Sequence, residues 1–111
     1  MPKNNLIVNL SIDFALNSIK QYKVLIENNE FILSKQFLRS STSIGANIHE
    51  AISAESTKDI IHKISIALKE AHETKYWLIL LSKSEYLNVN FEKINSIIKI
   101  LSKILISTKK N

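Results

Sequence analysis

The chain contains no cysteine. Disulfide staples and thiolate metal sites are therefore excluded, and the composition suits a reducing compartment. One glycine and one proline in 111 residues is far below the roughly 12% that the two usually supply together. Sheets joined by tight turns draw on those residues, and long helices do not. No apolar run approaches the ~18 residues that span a bilayer. The longest, YWLILL, runs from Tyr76 to Leu81. The opening MPKNNLIVNL has a short apolar piece broken by Asn9, which predicts no secretory leader. These absences predict a single cytoplasmic domain with no membrane association.

What is present is apolar residues at helical spacing. Four segments keep the three- and four-residue recurrence of an amphipathic helix, at about 9–27, 31–54, 57–83 and 91–108. In the first, Ile12, Leu16, Ile19 and Ile26, with Ala15 and Tyr22, form the expected core stripe. Leu33, Phe37, Ile44, Ile48 and Ala51 do so in the second. The third carries Ile61, Ile64, Leu68, Ala71 and Leu78, widened by Ile60 and Ala67. The fourth carries Ile94, Ile97, Ile98, Leu101, Ile104 and Leu105. ENNE (27–30) reads as a stop, because Asn tolerates the left-handed conformation that ends helices. Ser56 and Asp59 read as a capping pair, and Asn90 as an N-cap. Helices of similar length with short connections predict an all-α fold, an up-down-up-down antiparallel four-helix bundle.

The third segment holds a second apolar group, Ile66, Trp77, Leu80 and Leu81, away from its main stripe on a wheel of ~100° per residue. Left exposed, such a patch is a liability or an interface, so these four residues are the candidate surface for self-association; the alternative is a fourth helix that wraps far enough round to cover them.

The stretch RSSTSIGANIHEA, Arg39 to Ala51, holds four consecutive hydroxyl residues and the only glycine. A phosphate loop needs more glycines and a following Lys-Ser/Thr. The apolar period runs through the stretch unbroken, which predicts a helix. Gly45 then costs up to ~1 kcal/mol relative to Ala, and close approach of another helix compensates. Ser40, Ser43 and Asn47 share one side, where hydroxyls return hydrogen bonds to the backbone.

Gln36-x-x-Arg39-Ser-Ser-Thr-Ser43-Ile-Gly-Ala-Asn47-Ile-His-Glu50-Ala51 resembles the second-helix signature of the bacterial four-helix-bundle proteins named for the 23S ribosomal RNA intervening sequence. A second block resembles the third-helix signature: Ser56-x-x-Asp59-Ile-Ile-His62-Lys63, then Ile66-Ala67-Leu68-Lys69-Glu70-Ala71-x-Glu73-x-x-Tyr76-Trp77-Leu78. The resemblance covers helices two and three closely, and helices one and four in pattern. It implies a ring-like homopentamer of four-helix bundles. It also implies kinship with the accessory variability determinant protein of diversity-generating retroelements, which works with a reverse transcriptase and nucleic acid. It implies no assigned biochemical activity. The chain departs from an arginine-rich nucleic-acid face: fourteen of its fifteen basic residues are lysine and Arg39 is the only arginine. Lysine does not supply the same planar fork.

The chemistry readings are few. His49-Glu50 and His72-Glu73 each open an H-E-x-x-H pattern, but Ser53 and Tyr76 occupy the closing positions. No Glu has a His three residues on, as a di-iron bundle requires. Neither metal, cofactor nor small-molecule substrate is expected. Glu70 and Glu73 read either as carboxylates for acid–base work or as partners of Arg39, Lys63 or Lys69. With no general base beside the serines, no catalytic residue is assigned and the chain reads as a non-enzyme. Arg39, Ser43, Asn47, Glu50, Lys69, Glu70 and Glu73 form a candidate structural polar network. The net charge of +5 favours anionic partners mildly. Lys99, Lys103 and Lys110 share one face of the fourth helix, with Ser96 and Ser107 between them, and are the candidate contacts to RNA or DNA backbone. The alternative is a protein-interaction scaffold with no nucleic-acid role.

Overall fold

The structure, a computed structural model, describes residues 5–110; Met1–Asn4 and Asn111 lie outside the described residues. Four helices follow one another: α1 Asn5–Glu27, α2 Leu33–Ile52, α3 Thr57–Lys83 and α4 Glu92–Lys110. Each packs on the next in sequence, and α4 closes back on α1, while the diagonal pairs stay apart. The result is an antiparallel four-helix bundle measuring 47 × 20 × 20 Å.

The ends of the helices follow from local chemistry. Asn29 adopts the left-handed conformation (φ 62°). Its amide donates to Ile26 O at 3.0 Å and the Glu30 amide to Leu25 O at 2.9 Å, which closes α1 in a Schellman motif. Glu85 (φ 67°) ends α3 the same way, with Tyr86 N donating to Leu81 O at 3.0 Å. Ser56 Oγ accepts from Asp59 N at 3.1 Å at the start of α3. Asn90 Oδ1 accepts from Glu92 N at 2.9 Å at the start of α4. Helix α2 begins at Leu33 rather than Phe31 because a carboxylate caps it. Glu30 Oε1 accepts from Ile32 N at 3.1 Å and Ser34 N at 2.7 Å, where the helix dipole favours negative charge. Helix α1 starts four residues ahead of the expected Asn9, because Ile7 already sits in the core.

On α3 the fully buried stripe is Ile60, Ile64, Ala67, Ala71, Thr74, Leu78 and Leu81; on α4 it is Ile94, Ile97, Leu101 and Ile104. A heptad-like spacing of three and four is what helices packed at about 20° require. Each buried Ile or Leu contributes about 1.5–3 kcal/mol.

Helix α1 departs from expectation. Its buried stripe is Ile7, Ser11, Phe14, Ser18 and Leu25, and the expected core residues Ile12, Leu16 and Ile19 face outward at 41%, 55% and 37% exposure. Two serines hold core positions, and Ser11 lets α1 lie close to α2 at Gly45. Both serve their own hydroxyls locally: Ser11 Oγ donates to Val8 O at 2.8 Å and Ser18 Oγ to Phe14 O at 2.9 Å. The Arg39–Ala51 stretch is helical throughout, and α1 comes close to it at Gly45. A Cβ there would stand 3.3 Å from Ser11 Oγ and 3.6 Å from Ser11 Cβ.

Substitution at Gly45 measures that approach. Alanine gains up to ~1 kcal/mol of helix propensity, but Ser11 Oγ must give way, so Gly45→Ala is expected to stay within ~1 kcal/mol of the parent. Gly45→Leu must push Ser11 and α1 aside at the Cβ and is expected to cost ~1–3 kcal/mol by overpacking. Thermal unfolding of the two variants checks this. A leucine variant as stable as the parent would mean that α1 and α2 are not pressed together here.

Candidate functional site

Helices α2 and α3 share the most extensive seam, and the polar side chains gather along it. Arg39 reaches across from α2. Its Nη1 donates to Glu70 Oε2 at 3.2 Å, its Nη2 donates to Glu73 Oε2, and its Nε donates to Gln36 Oε1 at 3.4 Å. Glu70 and Glu73 lie three residues apart on α3, so one guanidinium fork spans both. The Trp77 indole Nε1 donates to the same Glu73 oxygen at 2.9 Å. Both carboxylates are thus engaged by arginine, and the arrangement works as a clamp between helices. Arg39 is 48% exposed, and ion pairs this wet are worth about 0–1 kcal/mol each. The clamp sets helix register more than it adds stability.

Beneath it lies a dry contact. Thr74 and Ser40, both fully buried, meet at 2.8 Å between their hydroxyl oxygens. Thr74 Oγ1 also lies 2.8 Å from Glu70 O, and Ser40 Oγ 3.2 Å from Phe37 O. Each hydroxyl has one proton, so one oxygen donates across the seam while the other donates to its own helix.

The remaining members of the expected network divide. Glu50 Oε1 accepts from Lys63 Nζ at 2.7 Å, a second α2–α3 pair. Ser43 Oγ donates to Arg39 O at 2.7 Å and Asn47 Nδ2 to Ser43 O at 2.8 Å, both within α2. Lys69 is exposed and joins no ion pair among the described residues. His49 Nδ1 lies 3.2 Å from Gly45 O, and His62 and His72 are exposed on α3. Among the described residues no group of three or more His, Cys, Asp or Glu side chains could hold a metal ion. No helix there is long and apolar enough to cross a membrane.

The apolar patch expected on α3 is corrected at Leu81. Leu81 is fully buried and continues the core stripe three residues after Leu78, so it faces its own chain. Trp77 is half-buried against the core and bound to Glu73; Ile66 and Leu80 are half-buried. The large exposed apolar surface lies on α1 instead, at Leu6, Ile12, Leu16 and Ile19. There a shallow groove of about 240 Å³ runs between α1 and α2, floored by Ser11, Ala15 and Gly45 and rimmed by Ile12, Leu16 and His49.

Lys99, Lys103 and Lys110 are exposed on the outer face of α4. None has an ion pair among the described residues, and exposed Ile106 lies between the second and third. A polar cleft on the α1–α4 seam escapes sequence reasoning. Asn17, Gln21, Asn88, Asn90 and Lys93 line it, three separate segments that no local motif connects.

Comparison with known proteins then adds a family. The profile of the family described as 23S rRNA-intervening sequence protein matches residues 3–107. A crystal structure of a protein with unknown function from the S23 ribosomal protein family of Bacteroides thetaiotaomicron VPI-5482 superposes with a TM-score of 0.82. It is 49% identical, over 96% of this chain and 97% of that one. No curated protein sequence matches the chain.

The Glu50–Lys63 pair makes a signed prediction. The hydrogen bond from Lys63 to Glu50, then the charge of Glu50, raise the Lys63 ammonium above its ordinary 10.5. A cation stabilised in the fold contributes fully below its unfolded value and loses that contribution as pH climbs through the raised one. Denaturant melts of the parent and Glu50→Gln are therefore expected to differ at pH 8 and to converge as pH climbs past 10.5. A difference that stays constant through pH 12 would show that the pair contributes nothing through charge.

Proposed function

The chain belongs to the family of 23S rRNA-intervening sequence proteins, and from that premise we propose a non-enzymatic, cytoplasmic four-helix bundle that self-associates and binds structured RNA or DNA through the phosphate backbone. The observation that carries this reading is the row of unpaired lysines on α4, Lys99, Lys103 and Lys110. The row spans about 16 Å at 1.5 Å per residue, long enough to touch several phosphates. Cations without local partners stay available to a polyanion and release its counterions on binding. Aromatic residues do not alternate with the lysines, so contact is to the backbone and not by base stacking. The non-enzymatic part rests on Glu70 and Glu73, both already engaged by Arg39.

Self-association is supported by the outward stripe of α1. Ile12, Leu16 and Ile19, beside the α1–α2 groove, form a contiguous apolar strip of the kind that marks an interface. A ring of five is the assembly that the family resemblance implies, and in such a ring the α4 lysines would repeat in every subunit. The same apolar strip favours a second reading, a scaffold that docks another protein and no nucleic acid.

Fluorescence anisotropy separates the readings. The protein is titrated against a structured RNA and a matched DNA duplex at several salt concentrations. Binding is expected to weaken log-linearly with salt, and the triple variant Lys99→Gln/Lys103→Gln/Lys110→Gln to flatten the slope by about 2–3 on DNA. Absence of binding at low salt leaves the scaffold reading.

Solution mass tests the interface. Light scattering is expected to give a multiple of the chain mass for the parent and the monomer for Leu16→Glu, because a charge in an apolar interface loses its hydration without a partner. A monomeric parent removes self-association, and an unchanged multiple in Leu16→Glu moves it away from α1.

A further inference from the structure

The cleft on the α1–α4 seam has a chemistry of its own. Asn17 and Gln21 lie four residues apart and so share one face of α1. Asn88 and Asn90 come from the α3–α4 connection, and Lys93 from the first turns of α4. Together they enclose about 340 Å³, at the lower end of the ~300–1,000 Å³ range of small-ligand sites. Gln21 is half-buried and forms the floor; the other four are exposed. Asn90 Oδ1 accepts from the Glu92 amide. The side chains of Asn17, Gln21, Asn88 and Lys93 make no hydrogen bond or ion pair among the described residues. No carboxylate and no aromatic ring lines the space.

Four carboxamides beside one ammonium make a particular complement. A carboxamide offers donor and acceptor side by side, which matches the paired donor and acceptor of a nucleobase edge and above all adenine N6 and N7. The ammonium suits the adjoining phosphate. A concave cleft of this size does not admit a duplex, whose base edges lie within its own grooves. It admits one nucleotide splayed out of a loop or bulge, the form in which RNA sequence is usually read. Without an aromatic wall the base is held by its edge and not by stacking. The geometry points to a site for a single unpaired adenine nucleotide of an RNA strand, read by the carboxamides of Gln21, Asn17 and Asn88 with Lys93 on its phosphate. This rests on the RNA-binding reading and adds to it a base preference that the α4 lysines cannot supply.

The experiment keeps the two separable. Short single-stranded oligoadenylate and oligouridylate are titrated by anisotropy into the parent, into Gln21→Leu and into Lys99→Gln/Lys103→Gln. Adenosine 5′-monophosphate is titrated in parallel, followed by amide chemical shifts. Leucine is close in size to glutamine and favours helix, and circular dichroism confirms that the variant folds. The expected result is a roughly tenfold preference for oligoadenylate. Gln21→Leu abolishes it with the salt slope unchanged, and the double lysine variant weakens both oligomers equally. Shifts from the monophosphate centre on residues 17–21 and 88–93. If RNA binds with no base preference and Gln21→Leu changes nothing, the cleft proposal falls while the phosphate-backbone reading stands. If the oligomers do not bind but the monophosphate shifts the cleft residues, the cleft stands as a nucleotide site and the RNA reading falls. If neither probe binds, both fall.

Discussion

A side-chain carbon on residue 45 would stand 3.3 Å from the Ser11 hydroxyl, so α1 and α2 can approach this closely only where one helix has no Cβ and the other carries a serine. On its other side α2 meets α3 through Ser40 and Thr74, again two small hydroxyl residues. Helix α2 is thus pressed between two neighbours, and small residues on both of its faces make that possible. Ser11, Ser18, Ser41, Thr42 and Ser43 return their protons to carbonyls of their own helices, so burying them costs little; the buried Ser34 Oγ on α2 is the exception, with no partner among the described residues. A hydroxyl buried without a partner costs about 1–3 kcal/mol. Satisfied within its helix, it behaves as a small filler that leaves the seam free to close.

That constraint redistributes the larger side chains. With Ser11 and Ser18 at inward positions of α1, Ile12, Leu16 and Ile19 are carried round to the outside, since one face of a helix cannot turn in without the opposite one turning out. The apolar strip Ile12–Leu16–Ile19 is therefore a consequence of how α1 meets α2, and not an isolated feature of α1. Helix α4 follows the opposite rule. It is held by branched and long side chains, Ile94, Ile97, Leu101 and Ile104, which keep backbones further apart. Where α1 is drawn toward α2 and α4 is packed on α3, the α1–α4 seam is left loose, and the amide-lined cleft opens there.

The fold was legible because four long apolar periods with almost no glycine or proline leave few alternatives. The stops at Asn29 and the caps at Ser56 and Asn90 were legible because each rests on the residue's own conformational or hydrogen-bonding habit. Helix α1 was misread for a physical reason. Periodicity weighs apolar residues, and Ser11 and Ser18 are invisible to it, so it points to the outward strip as the core. Leu81 was misplaced by assigning it to an arc with Leu80, when its spacing from Leu78 and Ile64 puts it in the core stripe. The carboxylate cap of Glu30 precedes its helix by more than the usual capping distance. Of the site, the Arg39–Glu70–Glu73 clamp shows in sequence only as charges of opposite sign on two motifs; the cleft does not show at all, because its five residues come from three segments.

Charge shows how this packing bears on function. The ion pairs among the described residues all cross the α2–α3 seam, where Glu50, Glu70 and Glu73 meet Lys63 and Arg39. Paired charges a few ångströms apart cancel beyond a Debye length of about 10 Å. These pairs therefore project little field, while Lys35, Lys58, Lys69, Lys75 and Lys83 on the same two helices have no ion pair among the described residues. Helix α4 carries Lys93, Lys99, Lys103, Lys109 and Lys110 against one acidic residue, Glu92, and its lysines have no partners to cancel them. Of the four helices α4, diagonal to the helix that organises the core, carries its lysines at the highest density. The amide cleft lies at the N-terminal end of that same helix. The proposed backbone contact along the lysines and the proposed base reading in the cleft would then fall on one helix, with no movement of the bundle needed to join them.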